Sequence, residues 1–416
     1  MYLIHIFLLT TSLFAINSYA GEAGLLSNEG KLRKELFTNR KINTHTRPKQ
    51  HHQATTNIIV HFFIFHILDL DEKTEIFSTN AYLMQTWDDL NFVWEPEDYG
   101  GLYYLPVDFE EIWKPDIYLL NNAESTNILP VAKTQIFLYN DGRVRWWPPG
   151  TFKSICPIDL KAFPFDQQTC HLYFESWSAT GDEINLTLYN QEENFPVEIL
   201  LVEEHNEWEL VASNRTRNIH TPDPGDDKIF FTSLIFHITL KRRMPYYHLA
   251  IITPTIIAIL ITFVIFWISP ASEHKLFTSA VNMTILFILI VHLFWVVPRS
   301  GSSVAGIIIF CGNGAFFAGL TFLLTITTIS IYKNPPSFPP PIWFTNLLSG
   351  WLGSVVCLPD KTSIGSSELL DNDEDETKSN LKVVLSDWQL VACGLDKLGF
   401  ILYCIIMSIV ALAAFA

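Results

Sequence analysis

Long apolar segments occupy the second half of this 416-residue sequence. Three of them, at 246–267, 276–297 and 305–331, are long enough to cross a bilayer, and a fourth lies at 399–416. Close-spaced segments of this length, joined by very short loops, are not typical of buried core helices. The share of charged residues is 17%, against about 25% in an average soluble protein. The sequence therefore predicts a membrane protein.

The first half is typical of a secreted domain. Residues 1–20 end in the small-x-small pattern Ser18-Tyr19-Ala20, which predicts a signal peptide, because the apolar stretch is too short for a further span. The pattern over 25–37 predicts a short amphipathic helix. Between 57 and 239, short alternating runs are separated by turns such as Asn140-Asp141-Gly142, and this predicts a β-sandwich.

Two observations bear on topology. The sequons at Asn185 and Asn214 predict glycans and an extracellular domain, whereas a third match at Asn282 lies in an apolar segment and is treated as fortuitous. The basic trio at 241–243 favours the opposite orientation. We give more weight to the secretory features, because large amino-terminal domains translocate largely regardless of flanking charge. Four spans then place both termini outside the cell.

These patterns divide the sequence into five parts. They are the signal peptide 1–20, the extracellular domain 21–243, spans one to three in 244–331, a cytoplasmic loop with amphipathic helices in 332–398 and the fourth span in 399–416. The acidic run at 371–376 is typical of a solvated, disordered loop. The formal net charge of −16 argues against a nucleic-acid partner.

The cysteines separate by predicted compartment. Cys156 and Cys170 are the two of six that lie in the secreted half, so they are expected to form a disulfide. A bridge that closes so short a loop stabilises a domain by roughly 3 kcal/mol in the chain-entropy model.

The residues inside this loop carry a more specific signal. Cys156 and Cys170 enclose thirteen residues that include Asp159 and the run Phe163-Pro164-Phe165-Asp166. The loop resembles the signature loop of Cys-loop receptors, and several other motifs match that family: Trp113-Lys114-Pro115-Asp116, Trp146-Trp147-Pro148-Pro149-Gly150, and Pro254 within the first span. The resemblance extends over about 25–416 and is to the nicotinic acetylcholine receptor side of the family.

This resemblance implies an extracellular immunoglobulin-like β-sandwich followed by a four-helix transmembrane bundle. It also implies five subunits around a pore that the second span lines. The ligand of nicotinic relatives, a quaternary ammonium, binds between two subunits in an aromatic box through cation–π attraction.

On the principal side of that site, the resemblance is incomplete. The central Trp corresponds to Trp177 and the last aromatic residue to Phe231, but Leu120 replaces a Tyr. The stretch 218–231 also lacks the adjacent cysteines of alpha subunits. The sequence is therefore expected to be a divergent, non-alpha subunit whose own principal side is poor for acetylcholine.

On the complementary side, the aromatic residue corresponds to Tyr82. Strand alternation places Arg145 and Trp147 on one face, towards the ligand cleft. Two interpretations of Arg145 stay open: it repels a quaternary ammonium, or it extends to water and contributes little.

The resemblance also implies an ionic cluster that couples ligand binding to the pore. Glu72, Asp166 and Arg242 occupy its positions, with Asp166 and Arg242 the favoured pair. The alternative is isolated surface charges of almost no energetic value. The proline usual between the second and third spans is replaced by Ala305, which puts the strength of coupling in question.

The second span is expected to line the pore with one stripe at helical spacing. Lys275 and Pro298 are aligned with the Lys and Pro that bound this span in family members. That alignment gives the stripe as Phe277, Val281, Thr284, Ile288, His292 and Trp295. At the cytoplasmic mouth, His274 replaces a Glu, and Glu273 lies one residue earlier. Because a ring of carboxylates selects cations, Glu273 favours a cation channel.

The sequence thus predicts an acetylcholine-gated, cation-conducting subunit that acts beside other receptor subunits in a pentamer. The location implied is the plasma membrane, in contact with lipid, in neurons or at the postsynaptic side. Two alternatives stay open: gating by a monoamine, an amino acid or protons, and a non-conducting assembly subunit. Phosphate loops, metal-spaced His/Cys clusters and nucleophile motifs are not found, so we expect neither an enzyme nor a cofactor or metal.

Overall fold

The computed structural model describes residues 27–42, 46–49, 54–124, 130–189, 205–222, 229–243, 245–297, 304–349 and 376–415. The predicted signal peptide, Pro298 and most of the acidic run lie outside the described residues. The chain forms two units, Met1–Pro157 with Thr169–Leu240, and Ile158–Gln168 with Lys241–Ala416.

The first unit begins with the predicted amphipathic helix. Helix α1, Asn28–Arg33, is capped by the Ser27 hydroxyl, which accepts a hydrogen bond from the Gly30 N–H at 3.1 Å. A π-helical turn, Lys34–Asn39, continues it. Leu32 and Leu36 are four residues apart and are both buried, so this segment packs one face onto the domain.

In the part of this region that the structure describes, eleven strands follow, and they form two sheets. Their bounds are β1 Thr56–Asp71, β2 Ile76–Val93, β3 Tyr104–Val107, β4 Ile117–Leu119, β5 Ile136–Tyr139, β6 Asp141–Trp146, β7 Pro149–Ile155, β8 Gln167–Ser176, β9 Ile184–Leu188, β10 Trp208–His220 and β11 Phe231–Arg242. The seven-stranded sheet has the order β3-β5-β6-β2-β1-β9, with β7 also paired to β2, and the four-stranded sheet has the order β10-β11-β8-β4.

Aromatic side chains fill the space between the two sheets. Phe62 of the larger sheet lies with its ring 5.4 Å from Phe174 and 5.1 Å from Phe236 of the smaller sheet. Phe152 lies 5.6 Å from Phe174 as well. Such large, offset rings bury much apolar area, so this cluster forms the core of the predicted β-sandwich.

The predicted disulfide between Cys156 and Cys170 is present, and both residues are completely buried. Cys156 follows β7 of the larger sheet and Cys170 lies in β8 of the smaller one. The bond therefore ties the two sheets of the sandwich together.

The second unit is helical. Its main helices are α2 Thr253–Trp267, α3 His274–Val296, α4 Gly306–Lys333, α5 Ile342–Ser349 and α6 Glu376–Phe415. Among the described residues, four helical segments are long and apolar enough to cross a membrane, at Pro245–Trp267, His274–Val296, Gly306–Lys333 and Asp387–Ala414.

A local irregularity precedes α2. Residues His248–Ile252 form a π-helical turn in which the Thr253 N–H donates to the carbonyl of His248. Pro254 has no N–H to donate, and its ring clashes with the carbonyl four residues back. The wider turn accommodates both effects.

Helix α6 is longer than the predicted fourth span. It runs for 40 residues without a break, so residue 399 lies well inside it. The apolar segment within it begins at Asp387. Charged residues obscure this start in the sequence, but one of them, Asp396, is buried in an ion pair with Lys275 of α3. A paired charge is tolerated in an apolar helix, and the helix therefore extends past it.

Candidate functional site

The loop that follows β8 presents Trp177, the residue expected at the centre of the ligand site. Asp116 fixes this loop, because its carboxylate accepts hydrogen bonds from the Ser176 hydroxyl at 2.6 Å and the Ser178 N–H at 2.9 Å. The Trp177 N–H donates to the carbonyl of Asp116 at 3.1 Å. The indole itself is 65% exposed, so it is available for contact.

The outer face of the smaller sheet places four more side chains near Trp177. Tyr118 of β4 lies edge-on to the indole, with the ring centroids 4.9 Å apart, and is paired across the strands with Glu175. Glu175 accepts a hydrogen bond from Ser233 at 2.8 Å, and Ser233 also contacts His220 at 3.1 Å. One outer face of the smaller sheet thus carries Tyr118, Glu175, Trp177, His220, Phe231 and Ser233.

Phe231 and Leu120 occupy the ends of their strands. Phe231 begins β11, and its ring lies parallel to that of His220 at 6.1 Å. Leu120 follows β4, two residues after Tyr118, and is half-exposed.

Burial raises the pKa of Tyr118, and the negative charges of Glu175 and Asp116 raise it further. Sequence reasoning gave no role to Glu175, although alternation from Trp177 places it on the same face.

The expected complementary residues lie on the larger sheet. The half-exposed Tyr82 of β2 has its ring 5.0 Å from Phe65. The guanidinium of Arg145 lies 5.6 Å from the ring of Trp147 and 5.4 Å from that of Tyr139. Arg145 is thus held by cation–π contacts within its own face.

The six expected ligand-contact residues therefore form two groups. Trp177, Phe231 and Leu120 lie in or directly after strands of the smaller sheet, whereas Tyr82, Arg145 and Trp147 lie in or directly after strands of the larger one. The side chains in each group point away from the core that separates the sheets. One copy of the chain does not bring the two groups together.

Asp166 and Arg242, the favoured coupling pair, are in direct contact. The Arg242 Nε donates to Oδ1 at 2.8 Å and Nη2 donates to Oδ2 at 3.1 Å, with both side chains 1% exposed. The Gln168 amide donates to the same carboxylate at 2.7 Å. The guanidinium also lies 4.9 Å from the ring of Phe163. The pair is therefore a buried, hydrogen-bonded element and not a set of isolated surface charges.

Glu72 lies in the turn between β1 and β2, in the first unit, so the three-residue ionic cluster stays a prediction. In the second unit, the Gly306 N–H donates to the carbonyl of Lys161 at 3.0 Å. Lys161 belongs to the disulfide loop, and Gly306 begins α4. Ala305, which replaces the family's proline, is buried beside this contact.

The predicted pore stripe lies on one side of α3. Phe277 is 72% exposed and Trp295 is 86% exposed, and Val281, Thr284 and Ile288 are exposed as well, whereas His292 is partly covered. The opposite side, with Lys275, Ser279, Asn282, Leu286 and Leu293, is buried. Glu273 and His274 are exposed at the start of the helix. The stripe thus faces away from the helices of its own subunit.

The sequon residues lie on strands of the first unit. The Asn185 amide donates to Asn57 at 2.8 Å and its oxygen accepts from Arg217 at 2.7 Å. Asn214 lies in β10, where its oxygen accepts the Arg215 N–H at 2.7 Å. Asn282, the discounted match, is buried in α3 and donates to Thr262 at 2.8 Å. Glycosylation of Asn185 and Asn214 stays a prediction.

Comparison with known proteins gives the family. Residues 29–244 match the family described as the neurotransmitter-gated ion-channel ligand binding domain. The chain is 28% identical over 363 residues to neuronal acetylcholine receptor subunit non-alpha-2 of Carassius auratus, covering 86% of this chain and 76% of the relative. It is 26% identical to subunit alpha-5 of Pan troglodytes, over 90% of this chain and 83% of the relative. It is 27% identical to subunit beta-3 of Homo sapiens, over 87% of this chain and 77% of the relative.

The chain therefore belongs to the neurotransmitter-gated ion channel family. It is a divergent, nicotinic-like Cys-loop subunit, with an extracellular ligand-binding β-sandwich and four membrane-spanning helices. Pentameric assembly is typical of this family.

Proposed function

We propose that the chain is one subunit of a cation-conducting, acetylcholine-gated heteropentamer at the plasma membrane, on the postsynaptic side or elsewhere on neurons. In this assembly it supplies the complementary face of an agonist site, with Tyr82 towards a partner subunit whose principal side is complete. Its amino and carboxyl termini lie outside the cell.

The separation of the two groups of ligand-contact residues is the observation that carries this proposal. Tyr82 and Trp177 lie on different sheets of one sandwich, with the core between them. A site that needs both faces therefore requires two neighbouring subunits. Because Leu120 replaces an aromatic residue, a partner is the better source of the principal side for a quaternary ammonium.

Cation conduction rests on the start of the second span. Glu273 is exposed directly before α3, so several copies or partner carboxylates would form an acidic ring at one end of the pore. The charge of Lys275 does not oppose this ring from the lumen, because that side chain is buried against Asp396.

The test is expression of the chain with candidate partner subunits while currents are recorded against a panel of transmitters. We expect an acetylcholine-evoked inward current that depends on this chain and whose reversal potential follows the cation gradient. Currents that follow the chloride gradient would contradict the cation assignment, and a response to another transmitter alone would contradict acetylcholine gating.

The exposed Phe277 and Trp295 favour one further role. A stripe with such large side chains suits a subunit that supports assembly without forming a conducting pore by itself. Recording from cells that express this chain alone distinguishes the two roles, as described below.

A further inference from the structure

Two histidines are in contact on neighbouring strands of the smaller sheet. The Nδ1 atoms of His171 in β8 and His237 in β11 lie 2.8 Å apart, and the two rings are nearly perpendicular. The residues before and after each of them are completely buried, so the pair lies on the outer face of the sheet. His171 lies six residues before Trp177, about 20 Å along an extended chain. The pair is therefore separate from the ligand-contact residues.

The contact between the two imidazoles depends on one shared proton. A neutral imidazole carries a single N–H, and a hydrogen bond between two Nδ1 atoms needs one donor and one acceptor. Both side chains are half-buried, so ions from solution can reach them. Imidazole nitrogens that point at one position are also the ligands that suit Zn²⁺, Cu²⁺ and Ni²⁺. A metal ion would take the place of the shared proton, which then moves to Nε2 of its ring through water.

The distance between the nitrogens fits this exchange. Zn–N bonds are about 2.0–2.1 Å long, so two nitrogens bound to one tetrahedral ion lie about 3.3 Å apart. The pair must therefore open by about half an ångström from its separation of 2.8 Å. Small rotations of the two side chains supply this change without a shift of either strand.

A third strand supplies a group that orients one of the ligands. The Thr216 hydroxyl of β10 lies 2.9 Å from Nε2 of His237. A histidine that binds metal through one ring nitrogen almost always donates the N–H of the other nitrogen to an acceptor, which fixes its tautomer. The hydroxyl oxygen of Thr216 is such an acceptor. This contact favours a metal ligand at His237 independently of the distance between the two rings.

We propose that His171 and His237 bind a divalent transition-metal ion through their Nδ1 atoms, with Thr216 as the positioning residue for His237. Among the described residues, no group of three or more His, Cys, Asp and Glu side chains could hold a metal ion, so water would complete the coordination. The two ligands are 66 positions apart, which is why the sequence shows no metal-binding spacing there.

The bound ion would connect two strands with different roles. His171 directly follows Cys170 of the disulfide, and His237 lies five residues before Arg242 on β11. The ion would therefore cross-link the strand that leaves the disulfide loop to the strand that leads into the first span. Because it binds the folded chain, it should also raise the melting temperature.

The test measures Zn²⁺ binding to the purified full chain by calorimetry at pH 7.5, after treatment with a chelator. Mg²⁺ prefers oxygen ligands and is the matched ion that should not bind at this site. Thr216→Val keeps both imidazoles and should weaken Zn²⁺ binding by roughly tenfold. His171→Asn and His237→Asn each remove a ligand, so they should weaken it further and abolish the rise in melting temperature that Zn²⁺ causes.

His220→Asn is the control, because it removes another histidine from the same sheet face and should leave Zn²⁺ binding unchanged. Loss of binding in His220→Asn but not in His171→Asn would overturn the proposal, since the ion would then lie beside Glu175. Identical binding in the unmodified chain and in His171→Asn would also overturn it, because the imidazole contact would then be a structural hydrogen bond only. Should His171→Asn fail to fold, unchanged binding in Thr216→Val would overturn the proposal instead. The measurement needs no current, so its outcome is independent of the proposed function.

Discussion

Asp166 and Arg242 form a doubly hydrogen-bonded ion pair in which each side chain is 1% exposed. One partner belongs to the disulfide loop, and the other ends strand β11 directly before the first span. The same two residues also form a backbone hydrogen bond, in which the Arg242 N–H donates to the Asp166 carbonyl at 3.3 Å. The pair therefore fixes the disulfide loop to the chain segment that enters the membrane.

Removal of either charge from this pair should be strongly destabilising. Asp166→Asn leaves the buried guanidinium without its counter-charge, and such changes cost about 3–5 kcal/mol. We expect little protein at the cell surface, measured by biotinylation, and a lower melting temperature in detergent. Glu110→Gln, which breaks the exposed pair with Lys133, is the control and should behave as the unmodified chain does. Equal surface levels for both variants would contradict the role of the buried pair.

Loss of the disulfide should have a similar effect for a different reason. Cys156→Ser or Cys170→Ser removes the bond between the two sheets, and native disulfides in small secreted domains contribute about 2–5 kcal/mol. Surface assembly should fall sharply. Cys404→Ser changes a free cysteine and should leave surface levels unchanged. Normal currents from the Cys156→Ser assembly would show that the bond is dispensable.

The complementary face can be tested at Tyr82. In an assembly where this residue faces a complete principal side, Tyr82→Ala should reduce acetylcholine potency more than tenfold, because a desolvated cation–π contact is worth about 2 kcal/mol. Dose–response recordings measure the shift. Tyr103→Ala removes another exposed tyrosine, ahead of β3, and should not change the potency. An unchanged curve for Tyr82→Ala would mean that acetylcholine does not use this face.

The pore stripe predicts dependence on partner subunits. Five Phe277 rings would narrow the cytoplasmic end of a homopentameric pore and remove polar contacts for the ion, and hydrophobic constrictions of this kind close pores by dewetting. Expressed alone, the chain should give no agonist-evoked current even where it reaches the surface. Assemblies with one or two copies should conduct.

Phe277→Ser is the matching gain-of-function variant. It should restore current in the chain expressed alone if the phenylalanine ring is the only obstacle. A large ligand-gated current from the unmodified chain alone would refute the constriction and would mean that Phe277 turns away from the lumen.

His61 predicts a pH dependence of stability. This residue of β1 is 2% exposed, and burial together with the charge of Arg215 lowers its pKa from 6.5 to about 4. As the pH falls below 6.5, His61 therefore becomes protonated in the unfolded chain while it stays neutral in the folded chain. The stability that neutral His61 provides is fully present above pH 6.5 and is lost as the pH falls towards 4.

Between pH 7.5 and pH 5 this amounts to roughly 2 kcal/mol, since one unit of pKa corresponds to about 1.4 kcal/mol. Thermal unfolding of the full chain at the two pH values measures it, and His61→Gln should reduce the difference. Part of the dependence should persist, because burial also lowers the pKa values of His171 and His237. His66→Gln, on the same strand, is the control. An identical pH difference in His61→Gln would refute this assignment.

Much of the fold could be predicted because its signals are local. Alternation at period two gave the strands, and long apolar runs gave the spans. Helix α6 begins at Glu376, inside the predicted cytoplasmic loop with amphipathic helices, and it includes Asp396. Its partner Lys275 lies 121 positions earlier, and a contact so distant has no local pattern.

A family motif is what led to the prediction at Trp177, whereas contacts between distant residues carry no such motif. The hydrogen bond from Ser233 to Glu175 joins residues 58 positions apart on different strands, so no local pattern announces it. The Asp166–Arg242 pair joins two segments 76 positions apart, and only the resemblance suggested it. The stripe that begins at Phe277 came from helical spacing together with the family alignment at Lys275 and Pro298.

Because the two outer faces of the sandwich carry different residues, the position of this subunit in a receptor ring would affect the chemistry of its junctions. In the proposed ring of five, each copy would border one neighbour through the larger sheet and another through the smaller sheet. A single copy would therefore make two of the five junctions chemically distinct from the rest. The order of subunits, and not only their number, would then determine which agonist sites a receptor contains.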